Sequence, residues 1–156
     1  MAVPMSVSTA MKTLALISAF FAILSAGVLA EAPQPLTDFN KTLSAASKDQ
    51  KLAFILMGRA TCSICNATKA MIKEGKINVT SPDYVMGDLN FDDERTQAAF
   101  MRKYGKQDFG DTLPFVVVTD SHGKLLASSG GPKNAAQWNA LLASAQSKAA
   151  SKPQQQ

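Results

Sequence analysis

The groups best suited to chemistry in this chain are two thiols, Cys62 and Cys65, in the run Ala60-Thr61-Cys62-Ser63-Ile64-Cys65-Asn66. They are the only cysteines among 156 residues. Two intervening residues bring the sulfurs within one helical turn, close enough to bond to each other and to exchange that bond with a partner's. An apolar stretch, Leu52 to Met57, precedes the pair, and a helix-forming sequence follows it. If Cys62 opens that helix, unpaired backbone N–H groups face its sulfur. They favour the thiolate, the attacking species in exchange. Cys65 lies further into the turn and is expected to be shielded. Cys62 then attacks a partner's disulfide and Cys65 resolves the mixed disulfide; run backwards, the pair donates its bridge.

Other chemistries fit less well. An inert structural bridge across two residues would constrain the unfolded chain little. A structural zinc site wants about four protein ligands, and the chain adds only one histidine, His122, to the two cysteines. A covalent haem site needs histidine directly after the second cysteine, where Asn66 stands. No metal ligand set and no organic cofactor are expected. Met57, Met71, Met86 and Met101 fall within expected elements and read as core filler. His122 reads as a solvated turn residue. Arg59 has two readings, support for the Cys62 thiolate or plain surface charge.

Pro114 directly precedes the most β-branched segment, Phe115 to Thr119. Having no N–H to donate to a ladder, it belongs at a strand start. A cis bond to Leu113 would expose the Leu113 backbone to an extended partner segment beside Cys62.

The elements that must position these residues follow from pattern. Lys12 precedes an apolar run from Leu14 to Ala30, followed by Glu31-Ala32-Pro33. This reads as an export signal over residues 1–30, cleaved after Ala30, with Met11 as an alternative start. The competing reading is an uncleaved membrane anchor, for which the run is short. Removing residues 1–30 takes one lysine and no acid, so the formal charge falls from +4 to +3. That excess is spread along the chain rather than gathered into a nucleic-acid-binding patch. A small single domain is expected over residues 31–145, large enough to bury a core without a structural disulfide. Residues 146–156 are expected to form a disordered polar tail.

Within the domain, Ala32 to Pro35 reads as a linker. A helix is expected over Leu36–Lys48, capped by Thr37 or Asp38. A strand covered on both faces follows over Lys51–Met57. The Cys62 helix runs to about Lys73, with Ala67, Ala70 and Met71 toward the core, and Gly75 ends it. Next come a strand at Tyr84–Leu89 and a helix capped by Asn90 or Asp92, in which Phe100, Met101 and Tyr104 supply apolar bulk. The strand Phe115–Thr119, a hairpin, an edge strand at Leu125–Ala127 and a helix at Ala135–Ala143 complete the domain. The order α, β, α, β, α, β, β, α predicts an α/β fold with a mixed sheet flanked by helices on both faces.

On these residues the chain resembles the thioredoxin superfamily over about Leu36 to Ala143. The resemblance rests on Thr61-Cys62-Ser63-Ile64-Cys65, Met86-Gly87-Asp88-Leu89-Asn90, Arg102-Lys103-Tyr104-Gly105, Thr112-Leu113-Pro114-Phe115-Val116-Val117-Val118, and Asp120-Ser121-His122-Gly123-Lys124-Leu125. It implies a thioredoxin-like fold, Cys62 as exposed nucleophile, Cys65 as buried resolver and Pro114 as a cis-proline facing the pair. Thr61, Ser63, Ile64 and Leu113 would then contact substrate. Three departures stand out: Thr61 replaces a tryptophan, Ser63-Ile64 replaces Gly-Pro, and Leu56 replaces a buried aspartate that assists the resolving cysteine.

The resulting expectation is a thiol–disulfide oxidoreductase of the periplasm or extracellular space, running in the reducing direction. Its partners would be cysteine-containing exported proteins and a membrane electron-relay protein, with no nucleic acid and a monomeric state. A client-binding protein with little turnover and a metallochaperone are the alternatives.

Overall fold

The structure is a computed structural model that describes residues 31–151. The expected export signal and residues 152–156 lie outside the described residues. Eight elements follow in the expected order: α1 (Phe39–Asp49), β1 (Leu52–Gly58), α2 (Ser63–Lys73), β2 (Tyr84–Asn90), α3 (Glu94–Tyr104), β3 (Phe115–Thr119), β4 (Leu125–Gly130) and α4 (Ala135–Ala150). The sheet order is β2-β1-β3-β4. β1 runs parallel to β2 and antiparallel to β3, and β4 returns antiparallel to β3.

β1 lies inside the sheet, and Ala53 to Gly58 are all buried. Its alternating side chains feed two cores. Phe54 and Leu56 join Met86, Val116 and Val118 beneath Ile72 of α2 and Trp138, Leu142 and Ala145 of α4. Ala53, Ile55 and Met57 join Val85, Leu89 and Val117 beneath Phe39 of α1 and Phe100 and Tyr104 of α3. An uninterrupted apolar strand sequence is what burial on both faces demands.

The expected linker is an edge cover. Leu36 N–H donates to Met86 O and Asp88 N–H to Leu36 O, both at 2.8 Å, while Ser81 N–H donates to Glu31 O at 2.8 Å. The segment therefore lies along the otherwise open side of β2, shielding its unpaired groups. Leu36 bridges to Gly87 rather than starting α1. The helix begins after Asp38, whose carboxylate accepts from Lys41 N–H at 2.7 Å.

Other boundaries move for identifiable reasons. α3 is capped by Asp93, which accepts from Thr96 N–H at 2.7 Å; Asn90 closes β2 and its side chain instead accepts from Asp92 N–H. The buried face of α2 is Cys65, Thr68 and Ile72, and Ala67 and Ala70 point outward. Met101 is exposed on α3 rather than core. β4 continues to Gly130.

The largest shift is at the C-terminal end. α4 continues seven residues past the expected Ala143, so residues 146–150, assigned to the tail, are helical. The added stretch is rich in alanine, the best helix former. Ala145 is fully buried, and Lys148 Nζ donates to Leu126 O at 2.8 Å. Among the described residues, no helix is long and apolar enough to cross a membrane.

Candidate active site

The site forms where β1 hands the chain to α2. Phe91 N–H donates to Gly58 O at 2.6 Å and Cys62 N–H to Arg59 O at 3.1 Å, fixing the turn after the strand. Asn66 Nδ2 reaches back to Ala60 O at 3.0 Å and ties that turn to the helix. Cys62 is the N-cap of α2: its backbone is extended, and its sulfur accepts from Cys65 N–H at 3.1 Å. The sulfur therefore occupies the place a capping oxygen takes, where orphan helix N–H groups favour negative charge.

Cys62 and Cys65 are joined as a disulfide with Cα atoms 5.2 Å apart. Cys62 is partly exposed and Cys65 has no exposed surface. The expected difference in exposure between the two sulfurs is thus built into the helix.

The Leu113–Pro114 bond is cis, and Pro114 is buried at the start of β3. Pro114 O accepts from Gly131 N–H at 3.1 Å, tying this corner to the end of β4. A shallow groove of about 360 Å³ opens between the two segments. Its walls include Thr61, Cys62, Ser63 and Ile64 on one side and Leu113 on the other. All four residues expected to contact substrate therefore line one depression with Cys62; Pro114 follows Leu113 in the chain and is not among the residues lining it.

Sequence reasoning missed several contributors. Asp111 and Thr112 also line the groove. Arg59 is held at its rim: Nε lies 2.8 Å from Asp92 Oδ1, and the guanidinium carbon is 4.9 Å from the centre of the Phe91 ring. Of its two readings, the structure shows a surface charge already engaged by a carboxylate. The loop before Pro114 is anchored by Phe109, which is buried and stacks on Phe115 at 5.0 Å between ring centres. His122 is exposed in the β3–β4 turn, away from the groove. Among the described residues, no group of three or more His, Cys, Asp or Glu side chains is placed to hold a metal ion.

Solved structures provide the comparison. An uncharacterised thioredoxin-like protein from Clostridium perfringens matches with TM-score 0.56 at 10% identity, covering 88% of this chain and 97% of that one. A putative disulphide-isomerase from Bacteroides thetaiotaomicron matches with TM-score 0.54 at 16% identity, covering 80% and 98%. Oxidised thioredoxin O2 from Arabidopsis thaliana matches with TM-score 0.52 at 19% identity, covering 72% and 93%. The fold is thioredoxin-like. No family model and no curated protein sequence matches the chain.

The thioredoxin-like fold carries a Cys-x-x-Cys pair at the N-terminus of α2, joined as a disulfide.

Proposed function

We propose that the chain is a thiol–disulfide oxidoreductase that reduces disulfides in exported, cysteine-containing proteins. The observation that carries this reading is the asymmetric pair: Cys62 caps α2 on the wall of an open groove, while Cys65 is wholly buried behind it. A client disulfide reaching the groove meets Cys62 first. Cys65 is then the neighbouring thiol that displaces the client.

Electrostatics support the reducing direction. Cations beside the attacking sulfur stabilise the reduced pair and make it more oxidising. Here the cation that lines the groove, Arg59, is engaged by Asp92, and Asp111 adds a negative charge to the groove. The thiolate is left with the helix N-terminus as its main support. The apolar run ending at Ala30 supports a reading of export to the periplasm or outside the cell. A membrane electron-relay protein would return electrons to the pair, and the domain would act as a monomer.

The deciding measurement is the reduction potential of the pair in glutathione buffers, together with the pH dependence of Cys62 alkylation. A value near that of thioredoxin, about −270 mV, supports the reductase. A value near about −120 mV, as for a strong disulfide donor, would reverse the direction.

A further inference from the structure

Two charged residues line the groove at Cys62, Arg59 and Asp111. Their charges are not equally free to meet a client. The Arg59 guanidinium is held by Asp92, 2.8 Å away, and lies over the Phe91 ring. Asp111 makes no hydrogen bond or ion pair with any described residue. Its place in the loop is fixed by its neighbours. Phe109 is buried against Phe115, Gly110 turns the chain at φ 67°, and Asp108 Oδ1 accepts from Gly110 N–H at 3.0 Å. The turn after β4 packs on the same loop: a Cβ added to Gly131 would lie 3.8 Å from Thr112 Cβ. The cation of that turn, Lys133, is also committed. Its Nζ donates to Gly130 O at 2.8 Å and lies 5.4 Å from the centre of the Trp138 ring. Among the described residues, the backbones of Thr112 and Leu113 take part in no hydrogen bond. An extended client paired along them would pass Asp111 about 7 Å further on, two residues of strand. The groove thus offers one unneutralised charge, a negative one, in a chain whose formal charge over residues 31–156 is +3.

We propose that Asp111 selects clients carrying lysine or arginine about two residues from the reactive cysteine. This rests on the oxidoreductase reading and names its substrate class. The Cys62 thiolate attacks one sulfur of the client disulfide. That disulfide breaks, and the other client sulfur leaves as a thiolate and takes a proton from water. A basic side chain beside the attacked sulfur meets Asp111 as the mixed disulfide forms, whereas an acidic one meets a like charge. The net charge of the chain predicts the opposite preference, because a cationic protein attracts acidic peptides. The local and the global influence therefore differ in sign.

The test compares two peptides, each a symmetric dimer through a single cysteine, with lysine or with glutamate two residues to either side of it. The second-order rate of reduction by the reduced full chain is divided by the rate of the same peptide with 2-mercaptoethanol, an uncharged thiol. This removes differences in the peptides' own reactivity. The lysine peptide is expected to react on the order of tenfold faster at low salt, since an exposed opposite-charge pair gains up to about fivefold and a like-charge pair loses a similar factor. The ratio should fall as salt screens the charges. Asp111→Asn should bring it to one or below, and Asp111→Lys should invert it. Asp108→Asn is the control: it removes the same charge from the same loop outside the groove, and its amide oxygen can still accept from Gly110 N–H. The ratio should persist there. An equal loss in Asp108→Asn and Asp111→Asn would assign the preference to net charge and overturn the proposal. A ratio of one, or one favouring glutamate, in the unmodified chain would do the same. If neither peptide is reduced, the oxidoreductase reading fails by itself. Binding of the monomeric peptides with serine in place of cysteine, followed by the Leu113 amide signal in nuclear magnetic resonance, then judges Asp111. Tighter binding of the lysine peptide that is lost in Asp111→Asn supports the proposal, and equal binding or none overturns it.

Discussion

Gly58 and Cys65 are packed so closely that a single methyl group between them would collide. A Cβ at Gly58 would stand 2.9 Å from Cys65 Sγ and 3.0 Å from Cys65 Cβ. The missing side chain at the end of β1 is what lets the first turn of α2 settle onto the sheet and bury the Cys65 sulfur. Gly58→Ala is expected to destabilise the fold by about 1–3 kcal/mol, the usual range for overpacking a filled core. The displaced cysteine should also lose its shielding. Urea unfolding and the alkylation rate of Cys65 in the reduced protein measure both effects; normal stability with normal protection would show that the contact is slack.

The unequal exposure of the two sulfurs gives the cysteine variants different outcomes. Cys65→Ser should accumulate mixed disulfides with client proteins, because Cys62 attacks and nothing resolves. Cys62→Ser should accumulate almost none, since the remaining thiol is buried and access governs exchange. Non-reducing electrophoresis of each variant after incubation with disulfide-bonded proteins reads the difference. Equal trapping by both would contradict the assigned roles.

Much of this site was legible in the residues themselves. The spacing of Cys62 and Cys65, the continuous apolar run of β1 and the position of Pro114 before β3 each bear a local physical signature, and each fell where expected. What escaped notice depended on contacts between distant segments. Nothing near Asp92 in the sequence announces that it holds Arg59, thirty-three residues earlier. Ala67 and Ala70 looked suited to the core, but the sheet rather than helix composition sets the rotation of α2, and it turned Thr68 inward. The extension of α4 was obscured by polar residues around Ala145, whose burial is a tertiary fact.

That extension makes a prediction about the end of the domain. Truncation after Ala143 removes Ala145, which is fully buried, and the Lys148 hydrogen bond to Leu126 O on β4. It should lower the midpoint of unfolding, whereas truncation after Ser151 should leave it unchanged. Matched urea curves test this, and equal midpoints would mean that the last turns of α4 add nothing.

Asp93 gives an acid-side prediction with a definite sign. Its carboxylate accepts from Thr96 N–H at 2.7 Å, and that backbone hydrogen bond is the main reason its pKa is held below the ordinary value of 3.8. A carboxyl depressed in the native state contributes stability above its unfolded pKa and loses it as pH falls through the native one. Asp93→Asn should therefore be less stable than the unmodified protein at neutral pH, with the gap closing below about pH 4. Thermal melts across that range are the check; a gap independent of pH would assign the effect to shape rather than charge.

The two tyrosines set the alkaline limit, and both are buried in the core. Desolvation raises the pKa of Tyr104, whose hydroxyl donates to Gly123 O at 2.9 Å, and Asp120 adds to the rise. Burial likewise raises Tyr84, outweighing the opposing influence of Gln146. For an acid whose native pKa is raised, stability is complete below the unfolded value, 10.0 for tyrosine, and declines as pH climbs toward the native one. The folded protein should therefore show almost no tyrosinate absorbance just above pH 10, where an unfolded chain would be about half ionised. Ionisation should then appear together with loss of the far-ultraviolet circular dichroism signal. Tyr104→Phe should weaken that alkaline loss while leaving the Gly123 carbonyl without its donor. Its stability at neutral pH should fall by about 1 kcal/mol, the usual scale for one hydrogen bond. Free titration of both phenols near pH 10 in a protein that stays folded would mean that the cores on both faces of the sheet, around Tyr84 and around Phe39, Phe100 and Tyr104, open readily to solvent.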